Sequence, residues 1–441
     1  MLKNAPRVMA IVLLVAIAAL MVIAGGSGFT ELFKGVEAHT DDPIDPNTNT
    51  EPPSVTPETP EDIPPFLSSK FPKQPCESDL FAYTQSIETD SGLKLEAVHQ
   101  TAQGNLLVIS GAPVSGDFTV ERNSVTVINM SCDGTLNKCL TLSVSTPTYY
   151  VCSQLTSEGL AVAVKDNDKC FIYTMDYALS GSSFAEMDTV NAARIFPLSQ
   201  GYLFLAERAE NTVYLIRGGT VHKSAMIQAG NVLEIMEMRS VLTLFINGIN
   251  GYSVLSLDKN LEGFSQINIP EKHALKVLPV TENGVQKFLV VEFHCGSIYL
   301  SKHSATFREA DCERVGIGLA DGADIYQNGD SVFLLLKGTN PRVYLVDMQL
   351  NFTLSSSEFY HDIKDIYACD GYNGGYLMLS CNGDTDSLTL TDIRNDGSVS
   401  TKTIAVAADN AEFVRNLNNT VSIIYTSDQN PNMVSIAGIT L

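Results

Sequence analysis

The sequence has no tryptophan, only seven histidines in 441 residues, and 28 basic side chains against 50 acidic ones. Without Trp, a sugar-stacking site would rest on the 16 tyrosines. The acidic surplus, uninterrupted by any basic run, excludes nucleic-acid binding, which needs a basic patch to displace counterions from phosphates. No H-E-x-x-H, G-x-S-x-G or phosphate-cradling glycine loop is present, so the usual sequence marks of hydrolases and nucleotide enzymes are missing. Paired C-x-x-C spacings of the zinc type are also absent.

One long apolar run is present, at the amino terminus. Lys3 and Arg7 precede an uncharged stretch from Val8 to Ala24, which as a helix reaches about 25 Å, near the short end of a bilayer span. Two readings are open, a retained single-pass anchor or a signal peptide cleaved after Ala24. The run is longer than the roughly 7 to 15 residues of a signal-peptide core, which favours the anchor. In either case the positive end stays in the cytoplasm and the remainder is exported. Residues 36–75 hold ten of the eighteen prolines and, before Lys70, no basic residue. Such a Pro/Thr/acidic segment has few backbone donors and repels itself, so it is expected to be a disordered stalk. The chain thus divides into residues 1–35 (cytoplasmic start and transmembrane anchor or signal segment), 36–75 (linker) and 76–441 (folded domain).

Within that domain one pattern recurs. "GYLFLAERAENTVYLI" (201–216) is echoed by "DSVFLLLKGTNPRVYLVD" (330–347), "GGYLMLSCNGDTDSLTLTD" (374–392) and "NTVSIIYTSDQNPNMVSIAG" (419–438). The residues just before the apolar cores are Gly104, Gly159, Gly201, Ser240, Lys287, Ser331, Gly375 and Thr420, on average about 45 residues apart. Each unit reads as an alternating strand, a continuous apolar strand, a turn, a third strand and a weaker fourth. The period and strand order resemble the β-propeller superfamily over residues 79–441, which implies an all-β ring of stacked four-stranded blades. Eight markers predict eight blades; the long first interval leaves seven as the alternative. The last unit ends without a fourth strand, and "DLFAYTQSIE" (79–88) is expected to complete it and close the ring. The resemblance matches no particular family. The "WD", "YWTD" and aspartate-box tryptophans are missing, "GG" is too sparse for kelch repeats, and the Trp-containing signature of the envelope-assembly propellers is absent. It is therefore a resemblance of fold, which by itself assigns no function.

All nine cysteines lie in the exported part, where disulfides are permitted, and an odd number leaves one without an internal partner. Cys132 and Cys139 flank "DGTLNK" symmetrically and are expected to pair across a hairpin. Cys295 with Cys312 is the second expected disulfide. Cys152 and Cys170 fall on strands separated by a third, and Cys369 and Cys381 are offset along theirs, so neither of those pairs is expected to bond without irregular geometry.

Turns between second and third strands share one face of such a ring. Asp166, Asp168, Asp384 and Asp386 there could gather oxygens for calcium, the cofactor considered, or could be ordinary turn residues. In "EFHCG", alternation puts Glu292 and His294 on one face and Cys295 on the other, which disfavours a Cys–His dyad. His99, on a first strand lining the channel, reads as a hydrogen-bonded core residue rather than a base. The function these features imply is a binding or scaffold module at the cell envelope. Its N-terminal helix sits in the cell membrane and its propeller face is offered to a protein, peptide or glycan. The alternative is an extracellular hydrolase or lyase with carboxylates at the channel mouth. Protease treatment of intact cells is expected to digest the carboxyl-terminal domain, and carbonate washing to leave the chain in the membrane. A released fragment beginning at Gly25 would establish cleavage instead.

Overall fold

A computed structural model of the chain describes residues 61–62, 81–88 and 93–440, apart from short loop segments of which 112–123 and 356–362 are the longest. The expected anchor and most of the 36–75 linker lie outside the described residues. Among the described residues no helix is long and apolar enough to cross a membrane.

The strands form eight antiparallel sheets: six of consecutive strands alone, one of four consecutive strands with Glu61–Asp62 added at its edge, and one that joins the two ends of the domain. Blades 1 to 7 span residues 93–143, 149–188, 192–227, 231–270, 273–318, 322–355 and 363–407. Blade 8 takes Asn410–Arg415, Thr420–Ser427 and Asn430–Thr440, and Phe81–Glu88 pairs along its outer edge, with Thr84 opposite Ala437 and Ile87 opposite Val434. The early strand thus closes the ring as the missing fourth strand, and the eight expected second strands are the eight observed.

The continuous apolar strands follow from burial on both faces. In Tyr202–Glu207, Leu203 and Leu205 pack into a core shared with blade 4, while Tyr202, Phe204 and Ala206 pack into one shared with blade 2. Alternate residues of one strand therefore serve two different interfaces. Eight such cores occur, one between each pair of neighbouring blades. The first strands lie innermost and pack on those of adjacent blades, Leu93–Thr101 of blade 1 against Asn410–Arg415 of blade 8. The recurrent glycine at the head of the second strand has a steric cause: a Cβ on Gly159 would sit 2.1 Å from the Met175 carbonyl oxygen, and φ there is +135°.

The two expected disulfides are not formed. The hairpin of blade 1 turns at Ser131–Thr135, so Cys139 lies opposite Ile128 and Cys132 falls in the turn itself. The symmetric flanking of "DGTLNK" put the turn centre too far along the chain. Cys295 and Cys312 sit at opposite ends of the strand Ser297–Ser304, because Cys312 precedes the pairing of Glu313 with Lys302 whereas Cys295 precedes Ser297. All four thiols are free. Cys152 and Cys170 lie on strands flanking Gly159–Asp166, and Cys369 pairs with Met378 while Cys381 pairs with Asp365, as the strand assignments anticipate. Within the 36–75 segment, Glu61–Asp62 adds a two-residue strand to the outer edge of blade 1, opposite Cys139 and Lys138. An outer strand offers unpaired backbone groups that a passing extended segment can satisfy.

Ring closure rests on a core in which Ile87, fully buried, meets Leu95, Leu107 and Ile128 of blade 1 and Val414, Ile424 and Val434 of blade 8. Ile87→Ala is expected to cost about 2 to 4 kcal/mol in chemical denaturation. Deleting 81–88 is expected to bare the edge of Asn430–Thr440 and yield aggregates by light scattering. A truncated chain that stays monomeric with parental stability would refute this closure.

Candidate functional site

The interface between blades 4 and 5 differs from the others in carrying both an open groove and a buried ionic cluster. The groove arises from unequal hairpins. Blade 5 begins with two ten-residue strands, His273–Glu282 and Val285–His294, whereas the matching strands of blade 4 have eight. The longer hairpin closes on Asn283–Gly284, both with positive φ (51° and 74°), the type I′ preference of an Asn-Gly pair. Beside it lies a groove of about 490 Å³, lined by Met238, Val241, Thr243, Ile267, Val285 and Phe288 among others. Among the described residues no carboxylate, histidine or cysteine belongs to that lining. Val285 is 57 % exposed at the rim, while Phe288 is 1 % exposed in the floor. Phe288 is braced by Phe245 (centroids 5.4 Å apart) and Phe307 (5.1 Å), which makes the floor rigid.

Beneath the aromatic floor lies Glu292, with no exposed surface. It accepts hydrogen bonds from Tyr252 Oη of blade 4 (2.7 Å), Ser301 Oγ (2.6 Å) and His303 Nε2 (3.0 Å). The Arg314 guanidinium stands 3.5 Å away. Burial alone would push this carboxyl up, but the hydrogen bonds from His303, Ser301 and Tyr252 outweigh it and hold it at about 2. Burial pushes the His303 imidazole down, but its hydrogen bonds with Cys312 and Glu292 outweigh that and hold it at about 9. Phe307 stacks on the ring at 5.0 Å.

The Glu292–His303–Cys312 set resembles a nucleophilic triad in composition only. Such a triad needs the acid on one ring nitrogen and the nucleophile on the other. Here Glu292 and the Cys312 thiol, 3.8 Å away, both address Nε2, and Nδ1 has no hydrogen-bond partner among the described residues. The arrangement is an imidazolium–carboxylate pair that fastens blade 4 to blade 5 through Tyr252.

The residues expected to share calcium are not brought together where they are described. Asp166 is buried at the end of a blade 2 strand, and Asp386, in blade 7, is paired with Lys364. Asp168 and Asp384 lie outside the described residues. Among the described residues no group of three or more His, Cys, Asp or Glu is arranged to hold a metal. His99 meets Ser153 Oγ at 2.8 Å, and burial pushes its imidazole down to about 4, so it is a neutral core residue at neutral pH. The expectation against a Cys–His dyad fails at His294 and Cys295, whose Nε2 and Sγ are 3.3 Å apart. Cys295 is a turn residue with φ 49°, and strand alternation stops before it. Reasoning from the sequence missed the groove altogether; the one available signal was the Asn283–Gly284 turn.

No protein-family profile matches the chain, and no curated protein matches it by sequence. Among solved structures it is similar to Sqt1 of Saccharomyces cerevisiae, with a TM-score of 0.54 and 10% identity over 81% of this chain and 98% of that chain. It is also similar to the Dos1 propeller, with a TM-score of 0.52 and 10% identity over 80% of this chain and 94% of that one. BamB from Moraxella catarrhalis follows at 0.49 and 11% identity, covering 80% and 98%. At such identities the likeness is one of fold, and with the strand topology it defines the chain as an eight-bladed β-propeller.

The ionic cluster makes stability depend on pH in a defined direction. His303, raised from 6.5 to about 9, contributes fully below pH 6.5, and that contribution is lost as pH rises through 9. Glu292, lowered from 4.5 to about 2, contributes above pH 4.5 and loses its contribution as pH falls toward 2. Denaturation midpoints are expected to peak between these limits. Glu292→Gln is expected to cost about 3 to 5 kcal/mol near pH 6, where it strands a buried imidazolium, and less above pH 9.5. An equal loss at both pH values would rule out the ion pair.

Proposed function

We propose that the protein is a binding or scaffold module of the cell envelope. In this reading residues 1–35 hold it in the membrane as a single-pass anchor, residues 36–75 space it from the surface, and the propeller takes a protein ligand on one face outside the cytoplasm. The observation that carries the ligand reading is the groove between blades 4 and 5, whose described lining is uncharged and which is open at the rim and floored by a braced aromatic cluster. A site of that kind accepts an apolar side chain, worth about 1.5 to 3 kcal/mol when fully buried, and leaves orientation to polar groups at the edge such as Thr243, Ser256 and Gln286. The net charge of −22 favours a partner with basic residues around that anchor and speeds its approach. The hydrolase or lyase reading is not carried forward, since no described residue lining the groove is a carboxylate.

Full-length chain used as bait in detergent-solubilised envelope extract tests this. Val285→Glu places a charge in the groove mouth, whereas Ile249→Glu, at a residue 96 % exposed on the opposite face, is the control. Val285→Glu is expected to lose at least about tenfold in recovery of captured protein, the equivalent of 1.4 kcal/mol, with Ile249→Glu unchanged. Equal recovery by both would overturn the groove as the ligand site.

A further inference from the structure

The face opposite the groove carries a feature that ligand binding in the groove does not use. Among the described cysteines, Cys139, Cys170, Cys369 and Cys381 are buried, Cys132, Cys152 and Cys312 are half-buried, and Cys295 alone is exposed. It forms, with Gly296, the two-residue turn between Val285–His294 and Ser297–Ser304, and both have positive φ (49° and 77°). A left-handed conformation is uncommon for a residue with a Cβ. Here it takes Cys295 out of strand alternation and sets its thiol beside the preceding side chain.

That side chain is His294, whose tautomer is determined by its surroundings. Its Nδ1 lies 2.8 Å from the Glu271 carbonyl oxygen, which can only accept, so Nδ1 carries the proton. The Glu271 peptide is itself anchored, its N–H donating to the Asn250 carbonyl oxygen at 2.9 Å. In the neutral ring Nε2 is then an unprotonated acceptor, and it faces Cys295 Sγ at 3.3 Å. A thiol, a base within reach of it and a third group that orients the base are the parts of an activated nucleophile.

We propose that Cys295 and His294 form a covalent modification site at which Cys295 undergoes thiol–disulfide exchange with a small disulfide. His294 Nε2 takes the thiol proton, and the Cys295 sulfur attacks one sulfur of the disulfide. A new S–S bond forms as the original S–S bond breaks, and the departing thiolate leaves with the electron pair and recovers the proton from His294. Cys295 is oxidised to a mixed disulfide and one sulfur of the reagent is reduced to a thiol, so the disulfide supplies the oxidising equivalents.

Full-length protein treated with one equivalent of 5,5′-dithiobis(2-nitrobenzoic acid), or of cystine, and mapped by peptide mass spectrometry tests the assignment. Label is expected on Cys295 first, and Cys295→Ser is expected to abolish the fast phase. His294→Ala should slow modification of Cys295 at least about tenfold at pH 7, where an ordinary thiol with a pKa of about 8.5 is mostly protonated. Above about pH 9.5 hydroxide can take a thiol proton in place of an imidazole, and the two rates are expected to converge. First labelling at another cysteine, an unchanged or faster rate in His294→Ala at pH 7, or a gap that persists at high pH would each overturn the proposal, the last because it would mark a change of access rather than loss of a base.

Discussion

The packing of each blade against two neighbours is the constraint from which the rest of this molecule follows. A four-stranded sheet with apolar residues on both faces has no stable existence alone, and only a closed ring gives every blade two partners. Closure depends on Phe81–Glu88, which crosses from the start of the domain to the edge of its last blade. Through Ile87 it also contributes to the core between blades 8 and 1. The two ends of the propeller are thereby held together, with Phe81 at the outer edge of blade 8. The short pairing of Glu61–Asp62 on blade 1 lies next in the ring from that edge.

Against this regular background the junction of blades 4 and 5 stands apart. Polar contacts cross other interfaces too, such as Asn105 with Asn416 and Thr174 with Tyr202, but here Glu292 and His303 take up interior volume as an ion pair. Such a pair gains little net stability over apolar packing but is costly to break, so it restricts which geometry the interface can adopt. Its consequence for the groove is mechanical. Phe307, held against His303 on one side and Phe288 on the other, transmits the fixed position of the cluster to the groove floor.

The two faces of blade 5 therefore offer different chemistry from one pair of strands. At one end the Asn283–Gly284 turn raises an apolar wall and a groove; at the other the Cys295–Gly296 turn presents a thiol beside an oriented imidazole. Both depend on turn residues in the left-handed region, where a side chain is released from the alternation that governs the strands. Propellers concentrate recognition at such turns because the strands that carry them are fixed by the ring.

Much of the architecture was legible in the amino-acid sequence. The eight apolar second strands, the glycine at the head of four of them and the completing strand at 79–88 all express short-range rules, the period-two pleat and a steric need at one backbone position, which a single chain displays without its fold. The sites were not legible, for physical reasons that differ between them. The pairing of Cys132 with Cys139 failed because a hairpin centre depends on which residues adopt the turn, and here that is Ser131–Thr135. The dyad at Cys295 was set aside because alternation was extended one residue beyond the strand. Glu292 meets Tyr252, 40 residues earlier, only because blade 4 stacks on blade 5, and it meets His303, 11 residues later, across a hairpin of blade 5 itself. The sequence by itself determined repeat, strand order and closure, since those rest on local pattern. Which side chains share a pocket, a proton or a charge was decided by tertiary structure, because those contacts depend on turn conformation, on reach across a hairpin and on the stacking of one blade on the next, which no pattern along the chain records.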